Sequence, residues 1–132
     1  MSLLLERYEE ILERLRAELV ANYGPRLVSV AVFGSVGRGT PRQDSDIDVL
    51  IVARDLPRGR TARVEEFLPV EARLESWLST APGSVGPLML SPVFKTPAEV
   101  GAGSPLFLDM IDDARLLQDT DGFFQGFLDP GI

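Results

Sequence analysis

Two aspartates, Asp46 and Asp48, stand two residues apart at the start of an apolar run that ends at Val52. In a β-strand, side chains two residues apart point to the same face, so the two carboxylates would lie side by side. Adjacent carboxylates repel each other unless a cation neutralises them, and oxygen ligands of this kind suit Mg²⁺ or Mn²⁺. The spacing predicts a divalent-metal site, whereas a solvated acidic strand end is the simpler alternative.

A glycine-rich segment, Gly34 to Gly39, directly follows another short apolar run, Leu27 to Phe33. Glycine lets the backbone approach a ligand closely, and exposed N–H groups together with the Ser35 hydroxyl would form a cradle for an anion. Such a segment by itself is more often only a turn. Next to the aspartate pair it predicts phosphoryl or nucleotidyl transfer, in which metal ions neutralise charge and align the attacking and leaving oxygens.

Polar neighbours of the cradle extend the candidate site. Arg38 is expected to pair with a phosphate, because a guanidinium fork matches phosphate oxygens, or else to be an exposed turn residue. Ser45 is expected to hydrogen-bond the loop and orient the aspartates beside it. The candidate nucleotide-binding residues are therefore Gly34, Ser35, Arg38 and Ser45, and the candidate catalytic residues and metal ligands are Asp46 and Asp48.

The composition narrows the possible chemistry. The chain has 132 residues, a formal charge of −7, and neither histidine nor cysteine. Histidine-based nucleophile systems, His/Cys zinc sites and disulfide frameworks are therefore excluded. The acidity argues against direct nucleic-acid binding, which needs a basic surface, and favours bound cations.

The length and the 45% apolar content fit a single domain over residues 1–132. No stretch approaches the roughly 20 apolar residues that span a bilayer, and the N-terminus lacks the pattern of a signal peptide. These features predict a cytoplasmic protein without a membrane segment.

The hydrophobic pattern predicts the elements that position the site. Apolar residues three and four apart predict a first helix from Leu4 to Leu19, which Gly24 and Pro25 should end. A later helical segment is expected to break at Pro69, with Trp77 in the core rather than on a ligand. Further predicted elements are strands at 27–33, 46–52, 88–94 and 115–118 and a helix opening at Ser104–Pro105. Phe123, Phe124, Phe127 and Leu128 either pack back on the domain or dock on another chain.

Two segments within residues 34–52 resemble the G-S-x-x-x-G and S-D-I-D-L-x-V signature of the DNA polymerase β-like nucleotidyltransferases. They are residues 34–39, GSVGRG, and residues 45–52, SDIDVLIV. The short chain is similar to the minimal nucleotidyltransferases of that superfamily, which are usually paired with a separately encoded HEPN-domain protein. The resemblance implies an α/β (α+β) fold, with a small mixed β-sheet and helices mainly on one face. It also implies that Gly34 and Ser35 contact the triphosphate and that Asp46 and Asp48 bind Mg²⁺.

The resemblance further implies a nucleoside triphosphate substrate, commonly ATP, whose nucleotidyl group is transferred to a hydroxyl with release of pyrophosphate. For the partnered subgroup the implied acceptor is a tyrosine of a HEPN ribonuclease toxin, which the nucleotidyltransferase silences as an antitoxin. Homo-oligomers and hetero-oligomers are both compatible with this expectation.

One departure from the family pattern concerns catalysis. Active members usually carry a third carboxylate on the next core strand, but residues Leu88 to Phe94 include no acid. Glu99 and Asp109 follow, and we expect them on a loop or helix. Two hypotheses therefore stay open: an active nucleotidyltransferase, or a catalytically impaired nucleotide- and metal-binding subunit that neutralises its partner by binding alone.

Overall fold

A computed structural model describes residues 3–33, 47–80, 90–101 and 115–123 of the chain. Its longer elements are α1 (Leu3–Tyr23), β1 (Leu27–Phe33), β2 (Ile47–Ala53), α2 (Arg60–Thr80), β3 (Leu90–Lys95), α3 (Pro97–Gly101) and β4 (Arg115–Asp119), with 3-10 turns at Gly24–Arg26 and Thr120–Gly122. The strands form one sheet in the order β3-β2-β1-β4. β1 is antiparallel to β2 and β4, whereas β2 and β3 are parallel. The mixed sheet confirms the predicted fold class.

Helix α1 follows the predicted apolar stripe. Its inward side chains are almost completely buried: Tyr8, Ile11, Leu12, Leu15, Leu19 and Tyr23. The helix ends where Gly24 adopts a φ of +58°, a left-handed conformation that glycine takes without strain, and Pro25 follows. The stripe therefore fixes both the length of α1 and the face that it buries.

The two faces of the sheet are covered by different elements. Alternate residues of β2, namely Ile47, Val49 and Ile51, pack with the buried side chains of α1 and α2. Leu50 and Val52 point to the opposite face, where they form a smaller apolar cluster with Val100 of α3. Burial on both faces explains why the sequence of β2 is continuously apolar after Asp48. The long helices lie on one face only, as predicted.

Helix α2 runs without interruption through Pro69, so the predicted break at that residue is wrong. Proline removes one backbone hydrogen bond and crowds the carbonyl four residues earlier. Here the ring is exposed, while Phe67 and Val70 on either side of it are buried completely. Phe67 also meets Phe94 of β3 edge-on, with ring centroids 5.5 Å apart. Packing on the sheet therefore overrides the local preference of proline.

Replacing Pro69 with Ala should stabilise the protein. The change restores a helical N–H, but it also releases a restraint on the unfolded chain, so we expect a gain of about 1 kcal/mol rather than the full helix-propensity difference. Urea unfolding measures it. Pro57→Ala is the matched control, because Pro57 lies outside the helix and its replacement restores no helical bond. A loss of stability in Pro69→Ala would contradict the explanation.

The remaining predicted elements are partly covered by the described residues. β3 begins at Leu90 and β4 spans Arg115–Asp119, as expected to within a residue or two where they are described. Phe123 packs on the smaller apolar cluster, which favours packing back on the domain for this residue. The helix predicted at Ser104–Pro105 lies outside the described residues, as do Phe124, Phe127 and Leu128. No helix in the described part of the chain is long and apolar enough to span a membrane.

An ion pair between Glu9 of α1 and Arg115 links the first helix to the edge strand β4. The hydrogen bond from Arg115 holds the pKa of Glu9 below its ordinary value of 4.5. A carboxyl with a lowered pKa in the folded state stabilises the protein above its unfolded pKa, and this contribution is lost as the pH falls through the folded pKa.

We therefore expect Glu9→Gln to cost up to about 1 kcal/mol at pH 7, since both side chains are partly exposed. The difference between wild type and variant should shrink as the pH falls below about 4.5. Denaturant unfolding at pH 7 and pH 3.5 checks both statements. A difference that is the same at both pH values would show that the pair is not its source.

Candidate active site

Asp48 lies near the start of β2, half-buried, on the face of the sheet opposite the long helices. The alternation of β2 produces this placement, because Ile47 and Val49 on either side point into the helical core. In register, Asp48 pairs with Phe33 at the end of β1 and with Ser91 on β3. β1 therefore ends directly beside Asp48.

The structure describes only one of the predicted metal ligands, Asp48. The others lie outside the described residues, which leaves their predicted roles untested: Gly34, Ser35, Arg38, Ser45 and Asp46. Within the described ranges no group of three acidic side chains is arranged to hold a metal ion. A site with Asp46 therefore stays a prediction from the strand period.

Ser91 occupies the position next to Asp48 on the neighbouring strand. Leu50 pairs with Val93 two residues further along, and both belong to the smaller apolar cluster, so Ser91 and Asp48 share that face. Ser91 is exposed. A carboxylate on β3 closest to Asp48 would have to stand at this position, and the chain has a hydroxyl there instead.

Glu99 does not compensate for the serine. It lies in α3, where its carboxylate binds Arg63 of α2 at 2.8 Å and accepts the Thr96 backbone N–H at 2.8 Å. The Arg63 hydrogen bond, followed by the Thr96 N–H, lowers the pKa of Glu99. This carboxylate caps α3 and ties it to α2, and Asp109 lies outside the described residues.

Trp77 belongs to the core interface, as predicted, and not to the Asp48 site. It packs partly buried against the main cluster, and the guanidinium of Arg7 stacks 5.4 Å from its ring centroid. The Arg14 guanidinium lies 5.8 Å away. This tryptophan therefore joins α1 and α2 through cation–π contacts.

The described geometry fits a divalent cation in one respect. Asp48 places a half-buried carboxylate near the start of a central strand, on the face opposite the long helices. Hard cations such as Mg²⁺ prefer such oxygen ligands. Sequence reasoning did not single out Ser91, because the register between β2 and β3 depends on a connection of more than thirty residues that no local pattern encodes.

The sequence of residues 12–81 matches the family described as the nucleotidyltransferase domain. This match covers more than half of the chain, which therefore belongs to the nucleotidyltransferase domain family. The family therefore defines the class of this protein, which is that of the nucleotidyltransferases. The resemblance drawn from the signature is confirmed.

The chain is also similar to individual named proteins and to solved structures. The protein adenylyltransferase MntA of Thermococcus cleftensis is 36% identical over 76 residues, which cover 58% of this chain and 70% of that protein. A chain of a crystal structure described as a toxin–antitoxin with AMP-PNP has a TM-score of 0.56 and 20% identity, covering 88% of this chain and 80% of its own.

A second structural neighbour comes from a complex of a tri-AMPylated Shewanella oneidensis HEPN toxin with an MNT antitoxin. It has a TM-score of 0.53 and 16% identity, covering 92% of this chain and 81% of its own. At these identities the two structures support the fold, and they extend the similarity beyond the segment that matches the family.

Proposed function

We propose that this protein is an antitoxin that transfers the AMP group of ATP to a hydroxyl, a tyrosine of a HEPN-type toxin, in a reaction that needs Mg²⁺ or Mn²⁺. The observation that carries the proposal is the position of Asp48 at the start of β2, beside the end of β1, in a chain of the nucleotidyltransferase domain family. The adenylyltransferase relative and the complex with the AMPylated toxin support the donor and the partner. A cytoplasmic location is part of the proposal.

In this reaction the acceptor oxygen attacks the α-phosphorus of ATP. A new phosphorus–oxygen bond forms, the bond to the bridging oxygen of the β-phosphate breaks, and pyrophosphate leaves with that electron pair. Asp46 and Asp48 would hold the divalent ion, which neutralises phosphate charge when it is bound. Gly34, Ser35, Arg38 and Ser45 would hold the phosphates.

The acceptor proton needs a base that the described residues do not supply from β3, since Ser91 stands beside Asp48. Histidine is absent from the chain, so no imidazole can serve. The remaining candidates for the base are Asp46 or Asp48, a carboxylate outside the described residues such as Asp109, water, and a group of the partner.

The test incubates the protein with ATP labelled on the α-phosphate, Mg²⁺ and a candidate HEPN-domain partner from the same organism. Label on the partner, with a mass increase by whole AMP groups, is the expected result. Label on the γ-phosphate serves as the control and should not transfer. An unlabelled partner with Mg²⁺ and with Mn²⁺ would contradict the enzymatic proposal.

A second candidate function follows from Ser91. With a hydroxyl where a third carboxylate would stand, the protein could bind nucleotide or metal and neutralise its partner as a stoichiometric subunit. A toxin that stays neutralised when the antitoxin carries Asp48→Asn would favour this function. A toxin that regains activity would favour catalysis.

A further inference from the structure

The ion pairs of the described residues leave one group of cations uncompensated. Most arginines contact a glutamate: Arg7, Arg14, Arg16, Arg26, Arg63, Arg73 and Arg115. Within the described residues the exceptions are Arg54, Arg58, Arg60 and Lys95, which have no carboxylate partner. Cations without carboxylate partners are unexpected in a chain with a formal charge of −7.

All of these exceptions lie at the same end of the sheet. Because β2 and β3 are parallel, they end together, and Lys95 pairs in register with Val52. The connection that carries Arg54 and Arg58 leaves β2 beside Lys95, and Arg60 begins α2 immediately afterwards. A local positive region therefore lies on a protein that is acidic as a whole.

A cavity of about 290 Å³ opens within this region. Its lining consists of Gly59, Arg60, Arg63, Val93, Phe94, Lys95 and Glu99. Arg63 is fixed there, since it donates to the carbonyl of Pro57 at 2.7 Å and to that of Phe94 at 3.1 Å. Glu99 offsets the charge of Arg63, so Arg60 and Lys95 provide the uncompensated charge at the cavity.

The cavity is separate from the candidate active site. Ser91 marks the level of Asp48 on β3, and Lys95 is four residues further on, a distance of about 13 Å along a strand. Val93 and Lys95 lie on the same face of the sheet as Asp48, so the cavity and the candidate active site are separated along the strands and not across the sheet. A ligand in this cavity would therefore occupy a second site.

We propose that this cavity binds the phosphate group of a small phosphorylated molecule, with Arg60 and Lys95 as its ligands. Two uncompensated cations match the double charge of a phosphate better than the single charge of a carboxylate. The guanidinium of Arg60 can donate two parallel hydrogen bonds to phosphate oxygens. The volume fits a ligand smaller than most drug-sized molecules. An RNA would need a longer basic track than this short region offers.

Isothermal titration with inorganic pyrophosphate in EDTA and at constant ionic strength tests the proposal, because the chelator prevents metal-dependent binding near Asp48. The wild type should bind saturably at one site. The double variant Arg60→Gln/Lys95→Gln should bind about tenfold more weakly, and the single variant Lys95→Gln should lie between the two. Circular dichroism verifies that the variants fold.

Arg16→Gln is the control variant. It removes a surface charge of the first helix, far along the chain from the cavity, and should bind as the wild type does. The proposal would be overturned by the absence of saturable binding to the wild type, by equal affinity in the double variant, or by an equally weakened affinity in Arg16→Gln. A single-stranded oligonucleotide that binds through Arg60 and Lys95 more tightly than pyrophosphate would also overturn it, in favour of nucleic acid.

Discussion

In the proposed AMP transfer, Asp48→Asn should lower the rate by about a thousandfold, which corresponds to about 4 kcal/mol of lost transition-state stabilisation. The amide keeps the shape of the side chain but removes the charge that would hold the divalent ion against the phosphates. Since Asp48 is only half-buried and its neighbours Ile47 and Val49 supply the core contacts at this end of β2, the fold should survive the change. Transfer of label from ATP to the partner measures the rate, and urea unfolding measures the stability.

Asp55→Asn is the matched control for this experiment. It makes the same chemical change on an exposed residue after β2, whose φ of 55° an asparagine tolerates as well as an aspartate. We expect its transfer rate to equal that of the wild type. Equal rates in Asp48→Asn and the wild type would remove Asp48 from the catalytic site. A parallel loss of stability would instead assign Asp48 a structural role.

Local periodicity accounts for the part of the fold that the sequence predicts well. The stripe from Tyr8 to Leu19 has helical spacing, whereas the apolar runs of β1 and β2 are short, rich in β-branched residues and buried on both faces. Spacing therefore predicts the helix, and length with composition predicts the strands. Pro69 shows the limit of such reasoning. Its local preference opposes the helix, but the buried residues on both sides of it contribute more than the proline costs.

For the candidate site, too, one part follows from the local sequence and another part depends on the tertiary structure. The alternation of β2 places Asp48 on the face away from the long helices, which follows from the sequence. The identity of the residue beside Asp48 does not follow from the sequence, because more than thirty residues join β2 and β3 and no local pattern encodes their register. The cation-rich end of the sheet also needed the structure, since Lys95 and Arg60 are distant in sequence.

A carboxylate at position 91 should strengthen metal binding, because Ser91 lies beside Asp48. Ser91→Asp would place a carboxylate beside Asp48, on the same face and at the same level of the parallel pair. At the partly solvated start of a strand, one more negative charge about 5 Å from a divalent ion is worth roughly 2 kcal/mol. We expect the affinity for Mn²⁺ to rise ten- to a hundredfold, measured by titration without nucleotide. The transfer rate should rise as well if acceptor activation limits it.

Ser91→Asn separates charge from size, because it adds a side chain of the same shape without the negative charge. It should leave Mn²⁺ affinity unchanged, and Ser91→Asp/Asp48→Asn should lose the gain, since the added carboxylate needs Asp48 to share the ion. If Mn²⁺ affinity rises while AMP transfer stays undetectable, the protein is a binding subunit, and the missing third carboxylate is not what prevents transfer. If transfer appears only in Ser91→Asp, the serine is what keeps the natural protein from catalysis. An unchanged Mn²⁺ affinity would show that Ser91 and Asp48 do not face a common ion, and the metal site would then not include position 91.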